Sequence, residues 1–193
     1  MVALASSSPR RRELLKSLGV QCVQVAAHVD ETQLPGETVS DYVLRVSNAK
    51  LSAGLAQPKS RGKLVVAGDT VVCLDGRVFG KPSDVDDAVA MLLELSGRDH
   101  HVYSAVVVGN VQRRDHRIVI STVKFVTISK LEAEAYWHTG EPADKAGAYA
   151  IQGLGAQFVA HLEGSHSAVT GLPLFETAQL LRGFGLDLLL PRH

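Results

Sequence analysis

Apolar residues along this chain fall into two rhythms. Short runs of aliphatic and β-branched residues alternate with longer segments in which apolar positions recur every three to four residues, the patterns of strands and of amphipathic helices. Strands are expected at 2–5, 21–26, 64–74 and 77–79, with Asp75-Gly76 as the hairpin turn between the last two. Helices are expected at 9–18, 40–55, 84–95, 131–138 and 173–183. Two long strands rich in Val, Ile and Thr are expected at 99–110 and 117–128, joined by a polar turn from Gln112 to His116, and a last strand at 157–162. Gly-rich turns at 153–155 and 164–171 are expected to rim a cleft. Such alternation, with some antiparallel hairpins, predicts an α/β fold on a mixed sheet. With no repeat, low-complexity stretch or linker, residues 1–193 read as one domain.

Several charged residues break this pattern. Ser8 suits a helix N-cap and Pro9 the first helical position, which puts Arg10, Arg11 and Arg12 into the first turn. Cations are disfavoured at that positive end, so an anion bound there would resolve the conflict. Arg11 also falls on the stripe of Leu14, Leu15 and Leu18, where a buried charge needs a partner. The segment alone leaves a second reading open, in which the arginines reach out to solvent or Arg11 meets a structural carboxylate.

Asp69 stands inside a run from Leu64 to Leu74 that reads as a strand buried on both faces. A carboxylate there needs a cation, a metal or hydrogen-bond donors, unless it caps a loop at a break between two shorter strands. Gly68 beside it points to close backbone approach. Lys50 lies near the stripe of Tyr42, Val43, Val46, Ala49 and Ala53, either snorkelling to water or aimed at phosphate. Asp30-Glu31, after a strand, suits a divalent cation, although such pairs in loops are usually just solvated. Lys81 follows a hairpin and by itself reads as an exposed turn lysine. Gln152, in the loop Lys145 to Gly155, offers a donor and an acceptor suited to a base edge, or is a polar turn residue.

Charge and composition narrow the classes. The 20 basic and 20 acidic residues cancel, which argues against a general nucleic-acid binder. The apolar runs are too short to span a membrane, and the apolar N-terminal strand does not resemble a signal peptide. Only two cysteines occur, Cys22 and Cys73, both in strand-like apolar surroundings, as expected of reduced thiols in a cytoplasmic protein. Eight histidines occur without HExxH or zinc-ligand spacing. Ser165-His166-Ser167 lacks a nucleophile elbow, and neither a Walker A motif nor a dinucleotide-binding GxGxxG is present.

Taken in order, Leu4-Ala5-Ser6-Ser7-Ser8-Pro9-Arg10-Arg11, Asp30-Glu31-Thr32, the Lys50 helix, Gly68-Asp69-Thr70-Val71-Val72, Gly80-Lys81-Pro82, the stretch Lys145 to Gly153, and Val169-Thr170-Gly171-Leu172-Pro173 closely resemble the Maf family of nucleotide pyrophosphatases. The resemblance covers almost the whole chain. It implies an inosine triphosphatase-like α/β fold, with an elongated mixed sheet, flanking helices and two lobes around a cleft, often as a homodimer. It also implies hydrolysis of a nucleoside triphosphate to the monophosphate and diphosphate with a divalent metal, Mg²⁺ or Mn²⁺.

By the same resemblance, Asp69, Lys50 and Lys81 are catalytic, and Ser6, Arg10, Arg11, Thr70 and Gln152 bind substrate. Glu31 and Asp69 hold the metal. The Arg10, Asp69-Thr70 and Gln152 pattern resembles the branch acting on dTTP and UTP, with CTP and modified pyrimidine triphosphates as further candidates. The branch acting on 7-methyl-GTP has Asp-Gln at the aspartate position. Two other readings compete: a nucleotide- or nucleic-acid-binding cell-division regulator without catalysis, and a phosphatase releasing orthophosphate.

Overall fold

The computed structural model describes residues 1–189. Its elements in chain order are β1 (Val2–Ala5), α1 (Pro9–Ser17), β2 (Cys22–Val25), α2 (Val39–Leu55), β3 (Val65–Leu74), β4 (Arg77–Phe79), α3 (Val85–Leu95), β5 (Asp99–Gly109), β6 (Arg114–Phe125), α4 (Lys130–His138), β7 (Val159–Glu163), α5 (His166–Thr170) and α6 (Leu174–Gly183). The sheet runs β2-β1-β3-β5-β6-β7, with β4 added on β3. Pairing is parallel for β1 with β2 and β3, and antiparallel for β3 with β4 and β6 with β7. The expected mixed sheet with flanking helices is therefore present.

The chain divides into two compact units. The first comprises residues 1–69, 104–119 and the chain from Gly171 on; the second comprises 70–103 and 120–170. Each boundary within the sheet falls inside a strand: β3 after Asp69, β5 after Tyr103 and β6 after Val119.

In the first unit strand alternation sends side chains to two different cores. Val2, Leu4, Val66, Val106 and Val108 pack with Leu14 and Leu15 of α1 and with Leu180 and Leu181 of α6. Ala3, Ala5, Val65, Ala67 and Val107 pack with Leu51 of α2. The second face is lined by small residues because α2 lies close. A Cβ built on Gly54 would stand 2.6 Å from the Ala5 methyl. Gly68 answers the close approach expected of it, since a Cβ there would stand 2.7 Å from the Ala105 carbonyl oxygen.

In the second unit Val72, Leu74, Phe79, Val123 and Phe125 pack against α3, α4, Tyr149 and Phe158. Asp75 and Gly76 both have positive φ, 51° and 83°, as the expected hairpin turn requires.

Two expectations are corrected. The polar turn before β6 spans Asn110 to Arg113, where the Asn110 side chain accepts from the backbone N–H of Gln112 and Arg113. Arg114 to His116 are already strand; their polarity reflects an exposed start to β6. The Gly-rich stretches also carry helix. Leu154–Phe158 is a 3₁₀ turn, and α5 follows Ser165, whose hydroxyl accepts from Ala168 N–H.

His100 lies wholly inside the second unit. Its Nε2 sits 2.8 Å from the Tyr149 hydroxyl, and Nδ1 has no hydrogen-bond partner among the described residues. An imidazolium needs a partner at each nitrogen. Burial accordingly pulls its pKa down to about 4, with His101 adding to the effect and Asp99 opposing it. Between that value and the ordinary 6.5, the unfolded chain binds a proton that the folded chain refuses. Stability is therefore complete above 6.5 and falls as pH drops towards 4. His100 should contribute a loss on the order of 3 kcal/mol across that window, read from urea midpoints. His100→Gln should show a flatter profile than the parent protein.

Candidate active site

Ser6 directly follows β1, and its hydroxyl organises the turn into α1. It accepts from Ser8 N–H at 3.1 Å and from the Arg11 guanidinium at 3.4 Å. Ser8 is the N-cap, as its position predicts, accepting from Arg11 N–H. The Arg11 side chain folds back, and its Nε donates to the Gly171 carbonyl at 2.8 Å. Burial lowers the Arg11 pKa; Asp69 and Glu31 oppose this, and Arg10 adds to the lowering. The Gly171 carbonyl and the Ser6 hydroxyl thus both hold the Arg11 guanidinium, which feels the charges of Asp69 and Glu31.

Lys50 and Asp69 meet for a periodic reason. Asp69 shares the strand face of Val65 and Ala67, which α2 covers. Lys50 belongs to the buried stripe of α2 with Val43, Val46, Ser47 and Leu51. Its Nζ lies 2.8 Å from Asp69 Oδ1 and 2.9 Å from Glu31 Oε1. The Lys50 and Asp69 side chains are about nine-tenths buried, whereas Glu31 is half exposed. Glu31 is held through its backbone, where its carbonyl accepts from the Tyr42 hydroxyl at 2.7 Å. Asp30 forms a local turn with Thr32, whose side chain foremost and then its backbone N–H lower the Asp30 pKa.

The first unit therefore brings together Ser6, Arg11, Glu31, Lys50 and Asp69. Arg10 is half-buried in the first turn of α1. Thr70, also half-buried, follows Asp69 in β3 and opens the second unit. Lys81 and Gln152 belong to that unit and are both exposed. Their two loops are tied together, since Gly147 N–H donates to the Gly80 carbonyl at 3.0 Å.

Three supporting groups escaped the sequence. Gln24 donates to the Ser6 carbonyl, Tyr42 anchors Glu31, and the Gly171 carbonyl receives Arg11. A lone glutamine in a short apolar strand was a signal for the first. Nothing local signals the other two, because each partner lies on a distant part of the chain.

The Maf-like protein family model matches residues 1–184. The chain belongs to this family. Similar relatives include a dTTP/UTP pyrophosphatase of Xanthomonas campestris pv. campestris, 50% identical over 96% of this chain and 99% of that protein. The dTTP/UTP pyrophosphatase of Pseudoalteromonas atlantica is 46% identical over 96% of this chain and 98% of that protein. That of Saccharophagus degradans is 49% identical over 94% and 87%. A solved structure, the Staphylococcus aureus Ham1 protein, aligns over 93% of this chain and 90% of that chain with 14% identity and a TM-score of 0.43, too distant to bear on the site.

The buried pair makes a stability prediction. Removing one partner of a buried ion pair leaves the other charge uncompensated. Lys50→Met should cost about 3 kcal/mol, measured from guanidinium midpoints. Lys50→Met combined with Asp69→Asn should recover much of that loss, because the one carboxylate left without its lysine, Glu31, is half exposed to water. A double variant no more stable than Lys50→Met would contradict this account.

Proposed function

We propose that this Maf-like chain is a nucleoside triphosphate pyrophosphatase that hydrolyses dTTP and UTP to the monophosphate and diphosphate. The observation that carries the reading is the convergence of Ser6 after β1, Arg11 at the start of α1, Glu31 in the loop before α2, Lys50 within α2 and Asp69 in the middle of β3. The substrate class follows the names of relatives 46–50% identical over nearly their full lengths.

Phosphoryl transfer to water depends on charge neutralisation and positioning rather than covalent help. Arg11 and the positive end of α1 suit phosphate oxygens, with Ser6 holding the guanidinium. Arg10 and Lys81 supply further positive charge. Lys50 holds the Asp69 carboxylate in place by a direct hydrogen bond and itself presents a cation to phosphate. Asp69 orients the attacking water and accepts its proton. Gln152 reads the base edge through its amide, with Thr70 as a further substrate contact.

Glu31 and Asp69 suit a divalent metal. Both present hard carboxylate oxygens to one cationic point, now met by the Lys50 ammonium, and Mg²⁺ or Mn²⁺ is commonly held by one or two carboxylates together with waters and phosphate oxygens. Such an ion neutralises the charge that develops on phosphate oxygens. Among the described residues no helix is long and apolar enough to cross a membrane. We further place the protein in the cytoplasm, as a homodimer, acting on free nucleotides rather than on nucleic acid.

Incubation of the purified protein with dTTP or UTP and Mg²⁺ or Mn²⁺ should yield the monophosphate and diphosphate by chromatography. Orthophosphate with a nucleoside diphosphate would instead identify a phosphatase. Absence of turnover of any triphosphate would remove the catalytic reading. Asp69→Asn, checked for folding by circular dichroism, should lower kcat about 10²–10⁴-fold. Arg11→Ala should reduce kcat/KM for dTTP, UTP, CTP and GTP alike, because it is assigned to the phosphates that all four share.

A further inference from the structure

The loop that carries Gln152 is fixed on both sides by two residues that the function just described does not use. Before Gln152, Ala150 N–H donates to the Tyr136 hydroxyl at 3.1 Å. After it, Leu154 N–H donates to Glu141 Oε2 at 3.0 Å and Gly155 N–H to Glu141 Oε1 at 2.9 Å. The two anchors are themselves joined, since the Tyr136 hydroxyl donates to Glu141 Oε1 at 2.6 Å. A nearly fully buried tyrosine and one carboxylate thus collect three backbone N–H groups that bracket Ile151 and Gln152.

The backbone is shaped to admit them. A Cβ on Gly153 would stand 2.2 Å from Glu141 Oε2, and a Cβ on Gly155 would stand 2.5 Å from the Tyr136 hydroxyl. Only glycine lets the chain close around the carboxylate in this way. Charge-assisted bonds from backbone N–H to carboxylate are roughly twice as strong as neutral ones. Glu141 itself is set by its neighbours, as its N–H donates to the Thr139 hydroxyl at 3.2 Å.

We propose that Glu141 and Tyr136 are positioning residues that set base selectivity by locking the Gln152 loop in one conformation. The inference rests on the reading of Gln152 as the base-contacting residue. An amide that discriminates donors from acceptors does so only if it is held in register, because a mobile one would turn to suit either base. The lock therefore acts on the difference between substrates rather than on the chemical step.

The test compares Tyr136→Phe, Glu141→Gln, Gln152→Ala and the double variant Glu141→Gln/Gln152→Ala. Two quantities are read: the ratio of kcat/KM for dTTP over GTP, and the hydrogen exchange of the Ala150, Leu154 and Gly155 amides. Each clamp variant should narrow the ratio by up to roughly tenfold and speed exchange at the amides it releases. The double variant should narrow the ratio no further than Gln152→Ala does, since the clamp acts through that residue. Faster exchange with an unchanged ratio overturns the proposal, because the clamp is then only structural. Unchanged exchange overturns it as well. Should Glu141→Gln fail to fold, Tyr136→Phe, which removes a single oxygen, carries the same test. A Gln152→Ala variant with the parent ratio refutes the base-reading role itself and the clamp proposal with it, whereas a Gln152→Ala variant that narrows the ratio while Tyr136→Phe and Glu141→Gln leave it unchanged refutes the clamp alone.

Discussion

A carboxylate in the middle of a strand buried on both faces is the constraint on which the candidate site depends. β3 is apolar nearly throughout, yet it carries Asp69 where α2 covers the sheet. That charge is tolerable only with a buried cation beside it, and Lys50 is the residue of the α2 stripe that meets it. The helix must then lie close enough for a lysine to reach, which accounts for Gly54 and the alanines facing it. Glu31 joins the same ammonium from a loop pinned by Tyr42, a residue of the same helix. One ion pair thereby ties a strand, a helix and a loop into a single charged constellation. Replacing a buried pair by apolar residues is often neutral or stabilising. The pair is better understood as chemistry kept in place by the fold than as a source of stability.

The sheet and most helices were legible because their signals are local. Period-two and period-3.6 patterns marked β1, β3, α2 and α3 closely, and Asp75-Gly76 marked its own turn. What failed was also local, but of the opposite sign. The exposed start of β6 carries Arg114, Asp115 and His116, so its polarity resembled a turn. α5 is five residues long, too short for a periodic signal among glycines.

The site was legible by a different route. Asp69, Lys50 and Arg11 announced themselves as charges in apolar settings, and each has a buried or half-buried polar contact. Lys81 and Gln152 carried no such anomaly, and both are exposed in the fold. Their assignment came from resemblance. The supporting groups were out of reach for a topological reason: Tyr42 and Gly171 matter through partners that only folding brings to them. Glu141 was hidden in the same way. An acidic residue next to a proline is ordinary in a sequence, and its three bonds to Tyr136, Leu154 and Gly155 exist only once the loop has closed.

The bond from Arg11 to the Gly171 carbonyl spans 160 residues of chain. Leu172, Leu180 and Leu181, which help bury β1 and α1, also lie in that last stretch. A ribosome makes the arginine turn 160 residues before the carbonyl that receives it. While the intervening chain is made, that segment is a cluster of cations beside leucines whose cover is incomplete, and its carbonyl anchor does not yet exist. The first unit needs α6, so a chain arrested before Gly171 would carry the sequence of the arginine turn without the carbonyl that holds it.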